Sequence, residues 1–202
     1  MISGVILAAG AASRMGKIKQ LLPLGPRPML WHVAAAACQS QLAEVLVITG
    51  SAAELVAAAI NDLPLRIIHN PDWQQGQSSS LHAGLLSLQP TTKAVLFLLA
   101  DQPLVTPELI NSLIDQWRCS GKTIICPSFE AKRGNPVLFD LAAWRNDLEQ
   151  LDGDQGARRI LAAHPEAIGY LPVATDEIFL DVDTAADYAK MQQRFGTSVE
   201  EV

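Results

Sequence analysis

The 202-residue chain is poor in charge, in aromatic side chains and in cysteine, and each shortage closes off a class of protein. Charged residues make up 18%, and bases are the scarcer sign, 15 against 21 acids, for a formal net charge of −6. That balance excludes a nucleic-acid binder that relies on broad phosphate neutralisation, yet leaves room for a few phosphates at a local basic site. Three cysteines, Cys38, Cys119 and Cys126, are odd in number and widely spaced. They make neither a disulfide framework nor a CxxC metal knuckle, and fit reduced thiols in a cytoplasmic protein. No apolar stretch reaches the roughly 18–20 residues that span a bilayer, so no membrane association is expected. The apolar start, MISGVILAAG, lacks a basic lead and stops at Gly10, which is not the pattern of a secretory signal. What is abundant is apolar: hydrophobic residues reach 49%, enough at this length for one self-supporting core. We expect a single domain over residues 1–196, with 197–202 a frayed polar tail.

Short apolar runs at residues 2–9, 44–49, 65–69 and 94–99 read as strands buried on both faces. Helical spacing falls between them, at 27–40, 51–61, 78–88 and 106–117. Ser51 and Glu54 have a capping-box spacing, and Pro107 suits a first helical turn. Further strands are expected at 123–126, 136–139, 168–171 and 179–182, and helices at 141–148, 156–164 and 184–195. The alternation predicts an α/β protein, a three-layer sandwich on a mainly parallel, Rossmann-like sheet. Ligands of such sheets sit outside the carboxyl ends of the strands, so the loops there are where chemistry is sought.

The first such loop runs Leu7, Ala8, Ala9, Gly10 and on through Ser13, Arg14, Gly16 and Lys19. Small residues let backbone N–H groups approach phosphate oxygens, and Arg14 and Lys19 add charge. It is not a Walker A loop, since Gly10 and Gly16 are one residue too far apart and Ile18 stands where Ser or Thr belongs; GxGxxG is missing too. A second loop, NPDWQQGQSSSL from Asn70, offers Gly76, Gln77, Ser79 and Ser80 at a helix start, where serines either cap the helix or meet a ligand. The third places Asp101 at the end of the most hydrophobic strand, either capping a turn or holding a cation. Asp181 and Asp183 follow in LDVDTAAD, on one face if that segment is a strand, with Asp187 suited to the next helix start. The four histidines make no metal-ligand spacing and, with the tryptophans, read as packing or exposed residues.

Taken together, LAAGxxxRMGxxKxLLPL from Leu7 to Leu24, NPDWxxGxSSSLxAGL, LLADQP, GxPVLF-like and GDxGAR motifs, and the closing DxDTxxD resemble the MobA-like nucleotidyltransferase superfamily. The nearest resemblance is to the molybdenum cofactor cytidylyltransferases, and it covers nearly the whole chain. It implies the nucleotide-diphospho-sugar transferase type of fold. It also implies nucleotidyl transfer from CTP to molybdopterin with release of pyrophosphate, dependent on Mg²⁺. By position, Arg14 and Lys19 would stabilise the triphosphate, with the loop from Leu7 to Lys19 wrapped around it. Gly76, Gln77, Ser79 and Ser80 would meet base and ribose, and Asp101 with Asp183 or Asp181 would bind the metal. Gly134, Asn135, Pro136, Asp154, Gly156 and Arg158 would line the acceptor side. Asn135 stands where the family usually has His; an amide still hydrogen-bonds a pterin edge but does not titrate near neutral pH. A molybdenum hydroxylase or its chaperone is the implied recipient. Guanylyl or adenylyl transfer, a sugar or polyol phosphate acceptor, and a non-catalytic delivery module stay open at this point.

Overall fold

The computed structural model describes residues 1–10, 18–154, 156–177 and 180–197. Its first half contains β1 (Ile2–Ala8), a hairpin of β2 (Pro23–Leu24) and β3 (Arg27–Pro28), α1 (Met29–Cys38), β4 (Glu44–Thr49) and α2 (Ala53–Ala59). It continues with β5 (Arg66–His69), α3 (Gln77–Leu86), β6 (Ala94–Leu99) and α4 (Pro107–Ser120). The second half adds β7 (Ile124–Phe129), β8 (Lys132–Arg133), β9 (Val137–Asp140), α5 (Leu141–Glu149), α6 (Arg158–Ala163), β10 (Ile168–Pro172) and α7 (Ala185–Thr197).

The main sheet runs β10-β7-β9-β6-β1-β4-β5, with β8 paired to β7. Strands β6, β1, β4 and β5 are parallel neighbours, so their carboxyl ends share one edge. Strand β9 runs against both β6 and β7, which makes the sheet mixed though mostly parallel. Alternation along the strands sends side chains to two apolar layers. Ile6, Val47 and Leu96 meet α1, α2 and α4 through Leu30, Val33, Val56, Ile110 and Leu113. Val5, Leu46 and Phe97 meet α3, α5 and α6 through Leu81, Leu85, Trp144, Leu148 and Ile160. This is the three-layer α/β sandwich expected from the apolar rhythm.

A third, smaller core joins Leu22, Leu24 and Met29 to Val182 and Met191, with Leu104, Leu180, Tyr188 and Phe195 against it. It packs α7 onto the β2–β3 hairpin and the loop after β6. The hairpin turns at Gly25, whose φ of +59° suits glycine.

Four local expectations are corrected. Residues 180–182 form no strand, so strand alternation does not orient Asp181 and Asp183. Helix α2 is preceded by Ala52 with no side-chain cap, so Ser51 and Glu54 build no capping box. Helix α6 opens at Arg158 behind Ala157 rather than at residue 156, and Gly156 sits before it at φ +51°. Helix α7 reaches Thr197, one residue into the segment expected as a tail; residues 198–202 lie outside the described residues. Pro107 is first in α4, as expected, and Thr106 caps that helix by accepting from Leu109 N.

Candidate active site

The site forms at the shared carboxyl edge of β1, β4, β5 and β6. Residues Leu7 and Ala8 end β1, and Ala9 and Gly10 leave it. Ser13, Arg14 and Gly16 lie outside the described residues, as does the extra base Lys17. The chain re-enters at a 3-10 turn, Lys19–Leu21. Gln20 in that turn is buried and gives both amide hydrogens back to the start of the loop, to Ala8 O at 2.9 Å and Gly10 O at 3.2 Å. Leu22 and Leu24 then anchor the segment in the third core. The turn thus fixes one residue inward while its neighbour, Lys19, reaches across the edge.

Lys19 Nζ donates to Asp101 Oδ2 and to Asp183 Oδ1, at 2.7 Å each. Burial alone would lower the Lys19 pKa, but the Asp101 and Asp183 carboxylates outweigh it and hold it above the ordinary lysine value. Asp101 is held at the carboxyl end of β6, and its carbonyl accepts from Val182 N at 3.3 Å, which brings residues 181–183 alongside. Asp181 takes a different partner: its Oδ1 accepts from Gln102 Nε2 at 2.7 Å. Burial raises the Asp181 pKa, and the neighbouring Asp101 and Asp183 carboxylates push it further, against the opposing pull of Gln102 and Lys19. Hydrogen bonding therefore separates two acids that sequence spacing treats alike. Asp187 instead accepts from Thr184 N and Oγ1 at the start of α7.

Two buried oxygens here, Asp101 Oδ1 and Gln102 Oε1, have no hydrogen-bond partner among the described residues. A buried acceptor left unpaired is costly, and at Asp101 it is the kind of oxygen a cation satisfies. Among the described residues no group of three or more His, Cys, Asp or Glu is arranged to hold a metal. The Asp101–Asp183 pair fits instead a hard cation that takes one or two carboxylates and completes its shell with phosphate and water.

On the β5 side, Asn70 is buried and Nδ2 donates to Ser79 Oγ at 2.9 Å and Ser80 Oγ at 3.1 Å, while Oδ1 accepts from Asp72 N. Ser79 also donates to Gly76 O, so neither serine caps α3, whose N-cap is Gly76. Gly76 has φ +103°, and a Cβ there would lie 2.7 Å from Asp154 Oδ1 and from Gly153. Gln77 N donates to Asp154 Oδ1 at 3.3 Å and Ser78 N to Gly153 O at 3.1 Å. A Cβ on Gly156 would meet Gln77 Oε1 at 2.5 Å. Asp154 and Gly156, read as acceptor residues, are thus interlocked with the Gly76–Gln77 segment read as nucleotide-binding. At Gly50, after β4, a Cβ would come within 2.4 Å of Ala9 O and 2.8 Å of Trp73, so only glycine lets these loops close.

Gly134 N donates to Pro127 O, and the Asn135–Pro136 peptide is cis. The antiparallel register Phe97↔Val137 puts Asn135 level with the end of β6, at the same edge as Asp101. Arg158 is exposed at the start of α6. His32, His82 and His164 bond or stack on Leu24 O, Leu148 O and Trp144, in packing roles. Three polar residues escaped the sequence reading: Gln20, Asn70 and Gln102. Each is a lone amide beside an apolar run, and that was the available signal.

A family model described as "MobA-like NTP transferase domain" matches residues 4–168, so Asp181 and Asp183 lie beyond its end. Nicotine blue oxidoreductase of Paenarthrobacter nicotinovorans is 30% identical, covering 91% of this chain and 92% of its own. Molybdenum cofactor cytidylyltransferase of Escherichia coli is 26% identical, covering 96% and 97%. A crystal structure from Mycobacterium sp. strain JC1, of a homologue of Mycobacterium tuberculosis Rv0371c, superposes with a TM-score of 0.87 at 33% identity, covering 98% of each chain. Rv0371c itself, in a complex with manganese, gives a TM-score of 0.79 at 26% identity, covering 95% and 97%.

Proposed function

The chain belongs to the MobA-like NTP transferase family, and from that premise we propose that this nucleotidyltransferase moves CMP from CTP to molybdopterin. The observation that carries the reading is the Lys19 ammonium set between Asp101 and Asp183 at the end of the glycine-lined loop. Such a pairing of one base with two carboxylates suits a metal–triphosphate ligand. The manganese complex of a relative and the cytidylyltransferase name of another support it.

In the proposed reaction the terminal phosphate of molybdopterin attacks the α-phosphorus of CTP in line. The new O–P bond forms as the bond to the β-phosphate oxygen breaks, and pyrophosphate leaves. The nucleophile is already an anion, so the chain needs no nucleophilic side chain of its own. Its work is positioning and charge stabilisation. Lys19, with Arg14 by family resemblance, faces the triphosphate; Gln20 holds the loop that carries both. Gly76, Gln77, Ser79 and Ser80, organised by Asn70, lie where base and ribose would be read. Gly134, Asn135 and Pro136 face the acceptor from the neighbouring strand end, with Arg158 as a further positive charge. Asp101 and Asp183 would hold a divalent ion, Mg²⁺ by preference, which when bound neutralises charge on the phosphates. Asp181 is the weaker candidate because Gln102 already engages it. The reading carries with it a cytoplasmic setting and delivery of product to a molybdenum hydroxylase or its chaperone. No helix among the described residues is long and apolar enough to cross a membrane.

The test is pyrophosphate release by the purified chain with molybdopterin and CTP, GTP or ATP. Turnover with CTP, lost in Asp101→Ala and Lys19→Ala by orders of magnitude, is expected. Faster turnover with GTP or ATP would reassign the nucleotide, and turnover with a sugar phosphate alone would reassign the acceptor. Reduction of a dye without pyrophosphate release would favour the chemistry named for the Paenarthrobacter relative.

A further inference from the structure

We infer that Lys19 is the site's own counter-cation, standing between Asp101 and Asp183 until a divalent metal displaces it, so that the free protein binds metal weakly and metal arrives with the triphosphate. The inference rests on the metal reading above but not on the identity of nucleotide or acceptor.

Two carboxylates, partly buried and facing one another, repel unless a cation lies between them. Here the cation is supplied by the chain: Nζ is 2.7 Å from an oxygen of each. A divalent ion taken up by the unpaired Asp101 Oδ1 and by Asp183 would lie against the ammonium bonded to the same two carboxylates, and like charges do not share so small a space. Lys19 must leave before the metal is held by both acids. The main chain behind it does not move freely, because Gln20 is hydrogen-bonded to Ala8 and Gly10 and the following leucines are in the third core. The four-carbon stem does move, and an ammonium accepts a new anion in many geometries. A triphosphate at the glycine-lined loop is such an anion. Metal without nucleotide therefore has to strand the ammonium; metal with nucleotide moves it from carboxylate to phosphate. By linkage, the ligand that relieves Lys19 tightens the metal and the metal tightens the ligand.

The experiment is a Mn²⁺ titration of the full chain without nucleotide, read by electron paramagnetic resonance. Lys19→Met should bind Mn²⁺ more tightly than the unmodified chain by about tenfold, an ordinary size for coupling between sites. Lys19→Arg, which keeps the charge, should stay weak, and Lys19→Met with Asp101→Asn should lose the gain. No gain in Lys19→Met, or a gain that survives loss of Asp101, overturns the inference. A measurement on the unaltered chain guards against a misfolded variant: Mn²⁺ should raise the rate at which Lys19 is acetylated, followed by mass spectrometry, and an unchanged or slower rate overturns it as well. Neither readout uses pyrophosphate release, so failure here and failure of the cytidylyl-transfer reading are separate results.

Discussion

The Tyr188 hydroxyl donates to the Pro23 carbonyl at 2.5 Å, tying α7 to the β2–β3 hairpin 165 residues earlier. That hairpin follows closely on Lys19, and the same helix follows closely on Asp183. Met191, on the buried face of that same helix, fills the core that holds the two together. Met191→Ala should cost about 2–4 kcal/mol in urea unfolding, the usual price of a deleted core side chain. It should also lower turnover more than it raises the KM for nucleotide, because Lys19 and Asp183 lose a common support. A loss of stability below about 1 kcal/mol would mean that the site assembles without this core.

Asn70 is a structural hub whose removal should be felt at the nucleotide side. Its amide serves two serine hydroxyls and its oxygen serves Asp72 N. Asn70→Ala leaves these groups short of partners in a buried place, at a cost of about 1–3 kcal/mol. The thermal shift produced by CTP should shrink in this variant. An unchanged shift would separate the serine-bearing helix start from nucleotide binding.

The β7–β8 hairpin turns through Glu130 and Ala131, at φ +46° and +65°, with Phe129 and Lys132 paired across it. Both central residues occupy the left-handed region that hairpins of this length usually fill with Asn and Gly. Ala131→Gly should therefore stabilise by about 0.5–1 kcal/mol, visible as a rise in Tm. A fall in Tm would show that the turn gains more from a side chain than it loses in strain.

Cys126 lies inside β7, where burial pushes its thiol from the ordinary 9.0 up to about 11, against a weaker opposing effect of Arg133. Between those values the unfolded chain gives up this proton and the folded chain keeps it. The stabilisation is whole below pH 9.0 and is lost as pH rises through about 11. Cys126→Ala should flatten that alkaline part of the stability profile. In thiol labelling at mildly alkaline pH, exposed Cys119 should react first and Cys126 only on unfolding. Early labelling of Cys126 would contradict its burial.

Residues such as Val47, Leu96 and Ile6 made the sheet legible, because a strand buried on both faces must be apolar without interruption. The carboxyl edge of the parallel strands followed from the same pattern, and with it the placement of Asp101 just after β6 and of Lys19 beside it. The β2–β3 hairpin was not legible, since two-residue strands around Gly25 carry no periodicity. Ser51 and Glu54 had the right spacing for a cap but the helix starts elsewhere, after Ala52, so spacing alone was not enough. Alternation would put Asp181 and Asp183 on one face, yet residues 180–182 form no strand, and the two acids differ in long-range partners, Gln102 for one and Lys19 for the other. The pairing of Asp154 with Gln77 spans 77 residues and belongs to tertiary structure alone.

The span between Lys19 and Asp183 is 164 residues, and it has a consequence for the order of events on the ribosome. Strands β1, β4, β5 and β6 emerge early and can pair while synthesis continues. Lys19 and Asp101 are then both present, but Asp183 and the helix that follows it come later in the chain. A nascent chain thus carries most of the sandwich well before it carries a complete charge triad. Completion of the triad waits until α7 packs back onto Leu22, Leu24 and Met29, after the parallel strands of the sandwich have been made.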